Sequence, residues 1–494
     1  MPLRDVGIEL AEAKRCYLMA PAGYGKTHSI ALAVKEAVAI QGKQLILTHT
    51  HAGVHSLNSK LSKLGVPRAA FNVETIAGWA LKYAAAFPAV SGMSDLQPSG
   101  KGWENVYPSA LSCLKVPPIL AILMATYGGV FVDEYQDCTR AQHDLILYIA
   151  DHLPCRILGD PLQGVFEFEG STIDFNSDLS SFSQLEPLST PYRWINAGAA
   201  GLGDWLQDVR QKVDRLEPID LTAPVQYIPL DSRALNSKCI GLYHGSGTVL
   251  VVHKVDNQAH SFSKGIGGKF RSMEEMDCKR LMQFACAVDE GDAVAQARAL
   301  IAFTLAITSN ASAAISHLDQ ALARDRHIEA TRYRANAGLA QSIQNIVDGG
   351  GPSAMLAAYQ TILNLDGVTS YRVELKHEGR RCLTAMTSGK HENYTAAAFA
   401  VRDLTRRIGR RSERFVSSRV LLVKGLEYDH AVVANAESLT PKELYVALTR
   451  GSQTLLVQSG STRISFQLTP RKPKKVEPVR VEQFDLFSEP YYGR

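Results

Sequence analysis

Eight consecutive residues near the start of the chain, Ala20-Pro21-Ala22-Gly23-Tyr24-Gly25-Lys26-Thr27, have the composition of a loop that wraps phosphates. Gly23 and Gly25 free the backbone to turn its N–H groups toward an anion, Lys26 carries an ammonium that can reach terminal phosphates, and Thr27 offers a hydroxyl to Mg2+. The run departs from the strict G-x-x-x-x-G-K-[ST] pattern only at Ala20. Farther along, the apolar run Val130-Phe131-Val132 delivers Asp133 and Glu134. One carboxylate of such a pair can hold Mg2+ while its neighbour takes a proton from an attacking water, so Asp133 is the metal-side candidate and Glu134 the candidate base. Each feature alone has a bland reading, a glycine turn before a helix or an acidic pair after a strand. In this order they fit the binding and hydrolysis of a nucleoside triphosphate.

Groups this far apart in sequence meet only if a sheet brings them together. Cys16–Met19 reads as a strand entering the glycine loop, and His28–Ile40 has helical periodicity leaving it. Gln44–Leu47, Gly129–Val132 and Arg156–Leu158 read as further buried strands, the last two followed by acidic residues, as in a parallel sheet with chemistry at its carboxyl ends. A second strand-rich block begins near Leu188, includes Thr248–His253, and resumes at Ser418–Val423, Ala431–Ala434 and Gln453–Val457. An alanine-rich stretch, residues 263–380, interrupts it, with Ala293–Ala306 and Leu318–Ala337 reading as helices; a shorter stretch, 86–124, interrupts the first block. The expected division is 1–85 with 125–187, then 188–262 with 381–465, and a tail from 466 to 494 rich in proline and charge that reads as extended.

With 494 residues the chain is too long for one core, and 46% hydrophobic with 21% charged residues describes a folded protein. No run of about 18 apolar residues exists and MPLRDVGIEL has no signal-peptide core, so the expectation is a cytoplasmic protein that does not cross a membrane. Eight scattered cysteines without metal-ligand spacing read as reduced thiols. The net charge of +4 is mild, but Arg402, Arg406, Arg407, Arg410, Arg411, Arg414 and Arg419 crowd one segment, and Arg471, Lys472, Lys474 and Lys475 another. Such runs suit phosphate backbones, or simply a solvated face.

DEYQD at 133–137, Gly159-Asp160-Pro161-Leu162-Gln163, Pro191-Tyr192-Arg193, Lys424-Gly425-Leu426-Glu427-Tyr428 and Tyr445 to Arg450 follow the glycine loop in order. In this order the set resembles the motifs of superfamily 1A helicases of the UvrD/Rep kind, over nearly the whole chain. The resemblance implies an α/β fold of two RecA-like parallel-sheet domains with two short, mostly helical insertions. It implies ATP and Mg2+ as cofactors, Gln163 sensing the terminal phosphate, Tyr192 stacking on adenine, Glu427 contacting ribose, and Arg193 and Arg450 acting as arginine fingers. On the DNA side it implies His49 and Phe168 stacking on bases and Thr75 touching the backbone. Glu169 and Leu421 stand where the family usually has arginine and histidine, and no glutamine precedes Ala20.

The activity so implied is ATP-driven translocation on single-stranded or tailed DNA, with 3′ to 5′ polarity. An alternative of another class is an ATP-gated, DNA-binding switch that controls a partner nuclease, as in the small helicase-like subunits of anti-phage systems such as Gabija. In the tail, Gln483-Phe484-Asp485-Leu486-Phe487 looks like the pentapeptide by which bacterial proteins dock on the sliding clamp. An ordinary P-loop kinase leaves the two distal arginine motifs unexplained.

Overall fold

A computed structural model of the protein describes residues 3–93, 98, 102–165, 173–274, 279–324, 328, 336–408 and 413–466. The first block forms β1 (Arg15–Met19), β2 (Gln44–Thr48), β3 (Phe71–Thr75), β4 (Gly129–Val132), β5 (Cys155–Gly159) and β6 (Ser183–Gln184). All six pair in parallel, in the order β3-β2-β4-β5-β1-β6. β2, β4 and β5 are buried along their whole length, which is why they read as unbroken apolar runs.

After a short antiparallel strand, β7 (Ile219–Asp220), the second block adds β8 (Gln226–Pro229), β9 (Val249–His253) and β10 (Arg271–Ser272). Following the paired β11 (Thr308–Ser309) and β12 (Thr369–Ser370), it continues with β13 (Phe415–Arg419), β14 (Tyr428–Val433), β15 (Gly451–Ser459) and β16 (Arg463–Ile464), which pairs with β7. The second sheet is also six-stranded and parallel, in the order β10-β13-β9-β14-β15-β8. Two parallel sheets with flanking helices are the RecA-like pair the motifs imply. One cluster of buried side chains, from Val6 through Trp194 to Ile464, runs through both blocks and joins them.

Local differences from the sequence reading have physical causes. Ser418–Val423 is not one strand: β13 stops at Arg419 and Val420–Val423 is a 3-10 turn. Leu318–Ala337 is not one helix either, because helices end at Leu322 and restart at Ala337. Residues 381–408, assigned to the second block, belong to the insertion. Their helices continue from Val373 to Thr387 and from Tyr394 to Ile408. Cys382, Leu383, Tyr394, Ala397 and Val401 are buried in the same cluster as Leu281, Phe303 and Tyr359. The stretch 86–124 does not stand apart: Val106, Tyr107 and Leu114 share the first block's core with Trp79 and Leu145.

Candidate nucleotide site between the two sheets

In the first sheet every candidate residue follows the carboxyl end of a strand, so parallel pairing brings the loops to one edge. Ala20 N–H donates to the Gly159 carbonyl at 3.0 Å, tying the glycine loop to the end of β5. Gly23 and Gly25 take positive φ angles of 77° and 91°, a conformation that costs side-chain-bearing residues energy. Gly25 is also the N-cap of helix Lys26–Gln41, and no side chain caps that end, so the positive end of the helix dipole faces the loop.

Lys26 Nζ lies 2.5 Å from Glu134 Oε1 and 3.7 Å from Asp133 Oδ1, and the ammonium and Asp133 are both buried. Glu134 sits at φ 56°, ψ 37°, a left-handed conformation rare outside glycine, the kind of local strain found where a side chain must be aimed. Its second oxygen accepts from Gln136 Nε2 at 2.5 Å, and Gln136 Oε1 accepts from Asp160 N–H at 2.8 Å. A Cβ on Gly159 would fall 2.6 Å from Gln136 Oε1, so glycine there lets Gln136 bridge the two acidic loops. Burial, with the neighbouring Glu134 charge, holds the Asp133 carboxyl above the usual range despite Lys26. Burial also pushes Glu134 up, but the Lys26 and Lys424 ammoniums outweigh it and keep it ionised. The same carboxylates outweigh the burial of Lys26 and keep it charged.

The second block closes the site. Arg193 N–H donates to the Gly23 carbonyl at 2.9 Å. Its guanidinium donates to the Thr449 carbonyl and to Glu427 Oε1, each at 2.5 Å, while its buried Nε finds no acceptor among the described residues. Trp194 is the residue the sequence reading missed. Its ring packs so closely on Gly23 that a Cβ there would come within 2.7 Å, and its indole N–H donates to the Gly451 carbonyl at 2.8 Å. It pins the glycine loop to β15. Tyr192 flanks the loop, its ring 3.5 Å from where a Gly25 Cβ would be, with Leu3 on the same side.

Arg450 is almost fully buried and turned inward. It donates to the carbonyls of Val446 at 2.8 Å and Leu426 at 3.1 Å and to Thr449 Oγ1 at 2.8 Å, and its Nη2 lies 3.5 Å from Gln163 Oε1. Burial and the nearby Arg193 charge lower its pKa to about 10, so at neutral pH it remains a guanidinium. Glu427 and Arg450 precede β14 and β15, and a bond from Tyr428 N–H to the Arg450 carbonyl holds them side by side. The structure therefore brings together Lys26, Asp133, Glu134 and Gln163 from one sheet with Arg193, Glu427 and Arg450 from the other. Thr27, half-buried at the start of its helix, and Asp133 are the oxygen donors suited to Mg2+.

The DNA-side candidates fare differently. His49 follows β2 but its Nε2 contacts Cys138 Sγ at 3.4 Å, and burial, with the Lys424 charge, lowers its pKa to about 4. It is a neutral ring engaged beside the acidic loop. Thr75, in register with Thr48 across β2 and β3, uses its hydroxyl to cap helix Ile76–Ala86 through Gly78 N–H at 3.0 Å. Phe168 and the pentapeptide Gln483–Phe487 lie outside the described residues. The arginine run is partly structural: Arg402 forms a buried pair with Glu378 at 2.6 Å, Arg414 donates to the Gly245 and Gly247 carbonyls, and Arg419 meets Asp256 at 3.3 Å.

Residues 103–183 match the family model of the UvrD/REP helicase N-terminal domain. Among solved structures, the arterivirus nonstructural protein 10 helicase is similar over 92% of this chain and 61% of its own, at 13% identity and a TM-score of 0.35. The Pif1 helicase of Candida albicans is similar over 50% of this chain and 54% of its own, at 11% identity and a TM-score of 0.31. The chain thus spans about three fifths of the arterivirus protein's length. No curated protein matches it. The segment that matches the family model carries the acidic pair, Gln136 and the Gln163 loop, so this part of the chain is similar to the UvrD/REP helicase N-terminal domain.

Proposed function

We propose that this protein hydrolyses ATP to move along single-stranded DNA, with 3′ to 5′ polarity. The observation that carries the reading is the convergence on Gln163: Arg450 of the second block reaches its side chain while the partly buried Lys26–Glu134 pair lies on the first block. Hydrolysis that needs groups from both blocks couples turnover to their relative position, which is the requirement for stepping.

The roles follow from placement. Lys26 and the glycine-loop backbone hold the phosphates, Tyr192 flanks the base, and Glu427 stands beside Arg193 at the rim. Thr27 and Asp133 would hold Mg2+, which would supply charge neutralisation at the transferred phosphoryl group. Glu134, aimed by its backbone and by Gln136, accepts the proton of the attacking water. Arg193 and Arg450 offset charge that develops on the terminal phosphate, a contribution of about 10³–10⁵ in rate where arginine fingers act in other NTPases.

A second reading, an ATP-gated switch acting on a partner nuclease, is favoured by one observation: His49 is engaged with Cys138 instead of presenting a free ring to a base. Sliding-clamp docking through Gln483–Phe487 is compatible with either. The test is the ATPase rate with and without single-stranded DNA, followed by displacement of streptavidin from biotinylated strand ends. Movement from 3′ to 5′ clears the 5′ end. DNA-stimulated turnover without directional clearance would leave the switch as the better account.

A further inference from the structure

The second block holds Gln163 directly through Lys424 and Arg450 and indirectly, by way of Asp160, through Arg210; Lys424 and Arg210 lie outside the set expected to touch phosphate. Its carbonyl oxygen accepts from Lys424 Nζ at 2.5 Å, and the same ammonium bonds the two Asp137 carboxylate oxygens at 2.5 and 2.6 Å. Its side-chain amide donates to Asp160 Oδ2 at 2.8 Å, and Asp160 Oδ1 accepts from Arg210 Nη1 at 2.7 Å. Arg210 also donates to the Tyr445 hydroxyl at 3.1 Å, on the helix that leads into Arg450. Asp137, Asp160 and Lys424 are buried, so both ion pairs carry a desolvation cost that offsets much of their Coulombic gain. Such pairs are poor general stabilisers. What two of them can supply, acting on one short loop from opposite sides, is geometry.

We propose that Lys424 and Arg210 are positioning residues, which hold the Asp160–Gln163 loop so that the Gln163 side chain faces the terminal phosphate only when the second block is docked. Lys424 fixes the backbone of Gln163 and, through Asp137, the acidic loop that carries Glu134. Arg210 fixes Asp160, which in turn orients the Gln163 amide. Because Lys424 belongs to the segment that also carries Glu427, one ammonium links the base-bearing loop, the phosphate-sensing loop and the rim of the second sheet. Both cations act through Asp137, Asp160 and the Gln163 backbone.

This inference rests on the proposed ATP hydrolysis at Lys26 and Glu134, so its test includes a readout independent of turnover. In the full chain, Lys424→Met and Arg210→Met are compared with wild type by amide hydrogen exchange across residues 160–164, by ATP affinity, and by kcat with saturating single-stranded DNA. Exchange across 160–164 should rise in both variants while protection of helix Lys26–Gln41 is unchanged. Nucleotide affinity should stay near wild type while kcat falls about 100-fold, the loss expected for a misplacement near 1 Å. Lys424→Arg, which keeps the charge, should recover part of the loss. Should Lys424→Met fail to fold, the charge-neutral double variant Lys424→Met/Asp137→Asn takes its place. Unchanged exchange at 160–164 in the variants overturns the proposal whether or not wild type hydrolyses ATP. A fall in kcat matched by equal losses of affinity and thermal stability overturns it as well, because the role is then structural. A wild type without DNA-stimulated ATPase, but with the expected exchange changes, fails the proposed function alone.

Discussion

Lys26 and Glu134 neutralise each other in a partly buried pair, yet their expected tasks differ, and substitution separates them. Lys26→Ala should lose both nucleotide affinity and hydrolysis, since it removes a phosphate contact. Glu134→Gln keeps the shape and the Gln136 contact, so it should bind ATP and not hydrolyse it; fluorescence titration with a labelled nucleotide alongside phosphate release checks both. Equal loss of binding in the two variants would remove Glu134 from its role as base. Arg193 is the cleaner arginine to test, because only part of its guanidinium is committed. Arg193→Ala should lower kcat by about 10³ with ATP affinity little changed, measured as steady-state rates against a binding isotherm. Arg450→Ala also takes the donor from the Leu426 carbonyl, at a cost of about 1–3 kcal/mol, while the Val446 carbonyl keeps the Thr449 hydroxyl at 2.9 Å, so its lost rate would come mixed with lost stability.

Short elements decide how these residues are presented. The helix Tyr192–Asn196 is barely more than one turn, yet it places Arg193 toward the cleft and Trp194 against Gly23. Gly23→Ala should therefore fail twice, from a positive φ and from collision with the indole. The expected result is a lowered melting temperature together with loss of nucleotide binding; a Gly23→Ala variant that binds ATP normally would show that the indole yields. At the end of β9, His253 is buried with Nε2 unpartnered among the described residues, and burial lowers its pKa to about 4. Its folded pKa lies below the unfolded value near 6.5, so the unfolded chain binds the extra proton between them. Stability is complete above the unfolded value and lost as pH falls toward about 4, by about 3 kcal/mol from this group. His253→Phe should flatten that part of a melting-temperature profile; an identical profile would assign the acid sensitivity to His49 and His260, which burial also lowers.

For the whole molecule, DNA affinity should come from phosphate contacts and tolerate any sequence. Binding to single-stranded oligonucleotides is expected to weaken steeply between low and moderate salt, with little difference between base compositions at fixed salt. A strong sequence preference at constant salt would contradict this. Because Arg402 is locked to Glu378 inside the helical insertion, Arg402→Ala should destabilise that insertion, by about 3–5 kcal/mol for an unpaired buried charge, and leave the salt dependence of DNA binding unchanged. A shallower salt slope in that variant would return Arg402 to the DNA interface.

The sequence by itself determined what is local. A glycine loop between strand and helix and an acidic pair after an apolar run are contiguous signals, because backbone conformation and strand burial act over a few residues. β1, β2, β4 and β5 accordingly lie where the apolar runs placed them. Less local features were misread for identifiable reasons. The chain after Arg419 is apolar enough for a strand but turns tightly toward Lys424, and the helices at 373–408 carry apolar stripes whose partners lie far back at Leu281 and Phe303. The tertiary structure alone decided which distant charges meet: Lys424 with Gln163, 261 residues away, Arg210 with Asp160, and Arg402 with Glu378. An arginine in a basic run looks the same in sequence whether it meets phosphate, water or a buried carboxylate. Only the docking of two sheets, through a shared apolar core that includes Trp194, fixes the answer, since Coulombic pairing depends on separation and burial that no local pattern encodes.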